Sequence, residues 1–157
     1  MIHDGSKSRQ DVYDEGMVVR REVLGAAHVD RANAAKDDFT TDFQDMITQY
    51  AWGTIWTRPG LPRTMRSAIT LTALIAHGHM EEFAMHVRAA LRNGLTRNEL
   101  KEIILQSAIY CGVPSANSAF KVAQDVFAGL EPAADSKPDT DFDADTDLDA
   151  DTAKETP

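Results

Sequence analysis

The stretch from Pro62 to Tyr110, PRTMRSAITLTALIAHGHMEEFAMHVRAALRNGLTRNELKEIILQSAIY, decides the fold class. Its apolar residues recur at three- and four-residue steps, the period of an α-helix, and no alternating run is long enough to insist on a strand. Pro62 suits the first position of a helix that runs to Gly78. After Ser67 this helix is apolar almost all round, with Ile69, Leu71, Leu74 and Ile75, which predicts the central, buried element. In the next segment Met80, Phe83, Ala84, Val87 and Leu91 share one face, and Asn93-Gly94 supplies a stop. Thr96 with Glu99 three residues later is a capping-box pattern that opens a further helix ending near Tyr110.

Upstream, RPGLP at 58–62 interrupts a helix whose apolar positions Phe39, Phe43, Met46, Ile47 and Tyr50 again fall on one face. DVYDEGMVVRREVLG carries Val12, Met17, Val18, Val23 and Leu24 at mainly helical intervals, with Gly25 as its stop. Residues 1–10 are polar and read as a flexible arm. Downstream, Pro114 in the corner CGVP starts a last helix that buries Phe120, Ala123 and Phe127. The reading is all-α, about six helices joined by short connections, with one domain over 11–130.

Residues 131–157 hold ten acids and two lysines, so a charge of −8 out of the chain's −9 lies there. Such a segment buries too little apolar surface to offset its ordering entropy and reads as a disordered acidic tail. Asp141, Asp143 and Asp145 have the opening spacing of a calcium loop, but Thr146 and Thr152 stand where glycine and glutamate are required. No basic stripe suggests nucleic acid, and no apolar run approaches the length of a membrane span. A single cysteine and no leader-like segment predict a soluble, cytoplasmic protein.

Phosphate loops, paired metal motifs and nucleophile elbows are missing from the sequence. His77 and His79 lack a third ligand at a matching place, so no metal is expected. Arg58, Arg63 and Arg66, within nine residues of one another and beside Trp52 and Trp56, read either as a solvated surface or as a carboxylate clamp. His86 lies one position off its helix's apolar stripe, and Glu99 has its own explanation as a cap.

The blocks GMVVRREVLGAAHVD, YAWGTIWTRPGLPRTMRS and EFAMHVRAALRNGLTRNELKEIILQSAIYCGVPSANSAF closely resemble the carboxymuconolactone decarboxylase family, over roughly residues 11 to 130. The resemblance implies an alkylhydroperoxidase-D-like helical fold and a homo-oligomer, hexamer or trimer. It also implies loss of CO2 from a small lactone dicarboxylate in aromatic catabolism, with no cofactor. Substrate electrons can flow through the ring C=C into the lactone carbonyl, so the substrate carries its own electron sink. On this reading Arg58 and Arg66 hold carboxylates, Trp52, Trp56 and Tyr110 line the pocket, His86 donates a proton or stabilises the oxyanion, and Glu99 orients or acts as acid. The redox branch of the superfamily has a C-x-x-C pair, with a glutamate before it and a histidine after. Here Cys111 and Glu99 match, but Pro114 replaces the second cysteine and Ser118 the histidine, and a dithiol cycle needs both sulfurs. The alternatives are a single-cysteine thiol peroxidase and a non-catalytic helical assembly protein.

Overall fold

A computed structural model describes residues 7–130, and over that range the chain is helical, without a strand. The elements are α1 (Arg9–Leu24), α2 (Ala26–Ala34), α3 (Thr41–Ile47), a π-helix (Thr48–Trp56), α4 (Arg63–His77), α5 (Met80–Arg92), α6 (Arg97–Tyr110) and α7 (Val113–Ala128). The acidic segment from 131 onward and the first six residues of the arm lie outside the described residues.

Local signals account for most of the helix ends. Thr96 accepts from the Glu99 backbone N–H while the Glu99 carboxylate accepts from Thr96, completing the expected capping box. A second box, Ser8 with Asp11, starts α1 at Arg9, inside the stretch read as an arm. Gly25, at φ +90°, ends α1 as expected, but the chain turns there directly into α2, an element the sequence reading missed. The nine residues AAHVDRANA contain one fully buried side chain, Val29, and so show little helical periodicity.

The main core lies among α4, α5, α6 and α7. Phe83, Val87 and Ala90 of α5 meet Leu71 and Ile75 of α4, Leu100 and Ile104 of α6, and Ala116, Ala119, Ala123 and Val126 of α7. The alanine stripe lets α7 approach closely. The expectation that α4 is the central helix is corrected. Only Ser67, Leu71 and Ile75 are buried on it, while Met65 and Ile69 face outward. The better-buried element is α5, which packs against α1, α4 and α7.

A smaller core joins the N-terminal half: Val19, Val23 and Leu24 of α1, Val29 of α2, Trp52 of the π-helix and Ala89 of α5. α1 and the π-helix meet almost backbone to backbone, through Gly16 and Gly53. Arg20, 5 % exposed, donates to Thr48 Oγ1 (3.1 Å) and Gln44 Oε1 (3.0 Å), which pins the start of the π-helix to α1. The face expected to be buried from Phe39 onward is not covered by the other described residues. Phe39 is 93 % exposed, and Phe43, Met46 and Tyr50 also face outward, because α3 packs mainly on its own π-helical continuation.

Candidate functional site

The change of pitch at Thr48 sets up the site. Thr54 Oγ1 donates to the carbonyl of Gln49 five residues back (2.9 Å), in keeping with the wider π turn. Trp52 and Trp56, four residues apart, lie on one side of this helix with ring centroids 5.2 Å apart. Trp52 is buried in the small core, whereas Trp56 reaches the edge and forms the wall of a cleft of about 480 Å³. α1 supplies the opposite side with Glu15, Val18, Val19 and Glu22, and the loop before α4 closes it with Arg58, Leu61, Pro62 and Arg63.

The three arginines are not equivalent. Arg63 is ion-paired with Glu22 across the cleft. Arg66 turns back and donates from Nη2 to the Arg58 carbonyl (3.0 Å), so it holds the loop that presents Arg58. Its buried Nε has no partner among the described residues. Arg58 is exposed, lines the cleft and makes no ion pair among the described residues. A free guanidinium beside an aromatic wall can take a carboxylate in a forked pair while Trp56 covers the carbon skeleton.

His86 sits on α5 between Met85 and Val87, partly buried, with its Nδ1 enclosed and lacking a partner among the described residues. Burial pushes its pKa below the ordinary 6.5; Glu82, one turn earlier, opposes this, and His28 of α2 adds to it. The imidazole is therefore neutral at pH 7 and suited to donating or accepting a hydrogen bond without carrying charge. The neighbouring Met85 and Ala89 both border Trp52's core, which puts His86 on the helix that backs the tryptophan pair.

His28 was not found from the sequence because it lies on the missed α2. It too is pushed below 6.5, first by burial and then by Arg31, Arg20 and Arg92. Two histidines with depressed folded-state pKa values make a signed prediction. The unfolded chain binds more protons around and just below pH 6.5, so stability is full above that pH and is lost as pH falls. Melting temperature should decline from pH 7 toward pH 5.5, and His86→Gln should flatten the slope. A melting temperature that rises on acidification would contradict this.

Of the expected site residues only Trp56 and Arg58 line the cleft; Trp52 and Arg66 support it from behind, and His86, Glu99 and Tyr110 are not part of its lining. The Glu99 carboxylate accepts from Thr96 N (2.7 Å) and Thr96 Oγ1 (2.9 Å), and these bonds lower its pKa. It is an ionised cap at neutral pH, so the expected role as an acid is not supported within this chain. Tyr110 is 80 % exposed and lines a separate groove between α4 and α6, with Ile69, Thr72 and Ile109 among its neighbours. That groove shares no lining residue with the Arg58 cleft. Cys111 caps α6 and packs against the main core as a partly buried residue. Cys111→Ala should leave turnover within about twofold of the parent, as expected of a small volume change in a packing role; loss of turnover in a folded variant would make the thiol functional.

Among the described residues no three His, Cys, Asp or Glu side chains converge as metal ligands, and no helix is long and apolar enough to cross a membrane.

The sequence pattern of the carboxymuconolactone decarboxylase family matches residues 41–125. The chain is 48 % identical over 118 residues to a 4-carboxymuconolactone decarboxylase of Acinetobacter baylyi, covering 75 % of this chain and 88 % of that one. It is 43 % identical over 113 residues to a nitrosuccinic acid decarboxylase of Metarhizium robertsii, covering 72 % and 79 %. A 4-carboxymuconolactone decarboxylase of Pseudomonas putida is 58 % identical over 41 residues, which is 26 % of this chain and 85 % of that one.

Proposed function

Because the chain belongs to the carboxymuconolactone decarboxylase family, we propose that it removes CO2 from 4-carboxymuconolactone, yielding the enol-lactone of β-ketoadipate in protocatechuate catabolism. The observation that carries this reading is Arg58, without an ion pair among the described residues, beside the apolar wall of Trp56, Val18, Val19 and Leu61 in a cleft large enough for a small lactone. In the proposed mechanism Arg58 clamps the spectator carboxylate, Arg66 fixes the loop carrying Arg58, and Trp56 and Val18 pack the ring. The departing carboxylate lies toward the drier Trp52 side, since a strongly paired carboxylate resists losing its charge. As the C–C bond breaks, its electrons pass through the ring C=C to the lactone oxygen, and the dienolate is then protonated at carbon. Neutral His86 stabilises the developing oxyanion as a hydrogen-bond donor.

The test is ultraviolet disappearance of the lactone with one CO2 released per turnover, using the purified full chain. Absence of turnover in a folded preparation overturns the reading. Arg58→Gln should raise KM about tenfold or more with a smaller effect on kcat, because a spectator clamp contributes mainly to binding. An unchanged KM would remove Arg58 from the site.

A second substrate is favoured by the nitrosuccinic acid decarboxylase relative. Nitrosuccinate is also a dicarboxylate, with a nitro group able to accept the electrons released, so the same clamp and donor suit it. Comparing kcat/KM for the two acids decides between them.

The assembly we propose is a homo-oligomer. Phe39, Phe43, Ile109, Tyr110 and Val113 are large apolar side chains that the described residues leave exposed, and a second copy of the chain would cover such surface. A single cysteine and a metabolite substrate suit the cytoplasm.

A further inference from the structure

A second cleft, of about 590 Å³, lies between α2 and α5 and shares no lining residue with the Arg58 cleft. Its walls carry His28 and Arg31 from α2 and Glu81, Met85, Arg88 and Arg92 from α5. Three arginines thus face one carboxylate, on a protein whose charge is −9 overall. None of the three arginines forms an ion pair among the described residues, although six such pairs occur elsewhere on them. Arg92 is already held in place: its Nη1 donates to the Val23 carbonyl (3.1 Å) and its guanidinium lies over Gly25, where an added Cβ would come within 3.0 Å. Among the described residues Arg88 is tethered only to its own helix, at the Ala84 carbonyl (3.2 Å). The imidazole of His28 is pushed toward neutrality first by burial and then by the nearby charges of Arg31, Arg20 and Arg92.

We propose that this cleft is a second anion site, distinct from the Arg58 cleft, that takes a small di- or tricarboxylate. Uncompensated guanidinium groups stand on two facing helices, so a ligand with a carboxylate at each end satisfies both walls with forked pairs. Met85 offers an apolar surface for the carbon chain between them. A single phosphate is short for a cavity of this volume and engages one wall. Met85 also packs against the core that holds Trp52, which links occupancy of this cleft to the tryptophan pair without a shared lining residue.

Citrate is the probe. The full-length protein is titrated at pH 7.5 and low salt, where exposed charges are little screened, and followed by calorimetry and by the fluorescence of Trp52 and Trp56. One saturable citrate per chain is expected, with affinity at least tenfold weaker in the double variant Arg31→Gln, Arg88→Gln, and tighter in Glu81→Gln. Arg58→Gln should change citrate affinity by less than twofold. Among the described residues the two exposed arginines hold no other element in place, and a circular dichroism melt checks that the double variant is folded. Absence of saturable binding overturns the proposal. So does citrate affinity that falls with Arg58→Gln and persists without Arg31 and Arg88, since the anion then occupies the other cleft. Inorganic phosphate that binds as tightly as citrate also overturns the two-walled dicarboxylate reading. Because binding is read without turnover, failure here is separable from failure of the proposed decarboxylation.

Discussion

His86→Gln is expected to lower kcat for lactone decarboxylation by about 10²-fold while KM moves little, as for loss of one oriented donor to a developing oxyanion. The physical case rests on two features of that side chain. Its Nδ1 is enclosed and has no partner among the described residues, and a partly buried polar atom of that kind is a natural place for a bound group to engage. Burial also keeps the ring neutral at working pH, so its hydrogen bond strengthens only as charge appears on the substrate. Steady-state kinetics at pH 7.5 on a variant with an unchanged melt provide the measurement. If kcat stays near the parent value, His86 is a structural residue of α5 and the oxyanion donor lies elsewhere. A pH profile adds a second readout: a neutral donor predicts activity that holds above pH 7 and declines as the ring is protonated, whereas an imidazolium acid predicts the opposite slope.

Gly53→Ala is expected to have the largest effect on stability. A Cβ placed there would lie 2.2 Å from the Val12 carbonyl oxygen, and one at Gly16 would lie 2.4 Å from the Thr48 carbonyl oxygen. Both obstacles are backbone, so neither can rotate away as a flexible side chain would. α1 and the π-helix must separate, at a cost of about 3 kcal/mol or more, at the upper end for overpacked sites. The melting temperature should fall by roughly 10 °C for a chain of this size. Gly60→Ala is the control, because nothing lies within 4 Å of its Cβ and φ there is not positive. Equal melts for Gly53→Ala and Gly60→Ala would mean that the close approach carries no energetic weight. The same displacement should also raise KM, since the π-helix carries Trp56 and leads into Arg58.

How much of the site was legible follows from distance along the chain. Trp52, Trp56, Arg58 and Arg66 fall within fifteen residues, and a π turn with the loop after it was enough to gather all four near one cleft. Even so, the division of labour was hidden. That Arg66 supports the Arg58 loop, and that Arg63 is engaged by Glu22, depends on contacts spanning 8 and 41 residues. Glu99 and Tyr110 were nominated by resemblance to a family pattern. In the single chain Glu99 is bound to its own helix start and Tyr110 faces another groove. His28 gave no signal, because its helix is short and mostly polar. The π-helix was hidden for a different reason: its four-residue spacing of Trp52 and Trp56 is equally compatible with an α-helix.

By itself the sequence determined the all-helical class, most of the breaks between helices and one of the two capping boxes, because these depend on side chains within a turn or two of one another. It also determined kinship, through several blocks in one order. Only the tertiary structure decided which apolar faces are covered. Periodicity shows that Phe39, Phe43 and Met46 share a face, or that α4 is apolar all round, but not whether another element of the chain exists to lie against them. It decided equally that two glycines far apart in sequence would bring α1 and the π-helix into backbone contact, and that arginines from two helices would face each other across a cleft. Those are properties of packing between elements, which a pattern within one element does not encode.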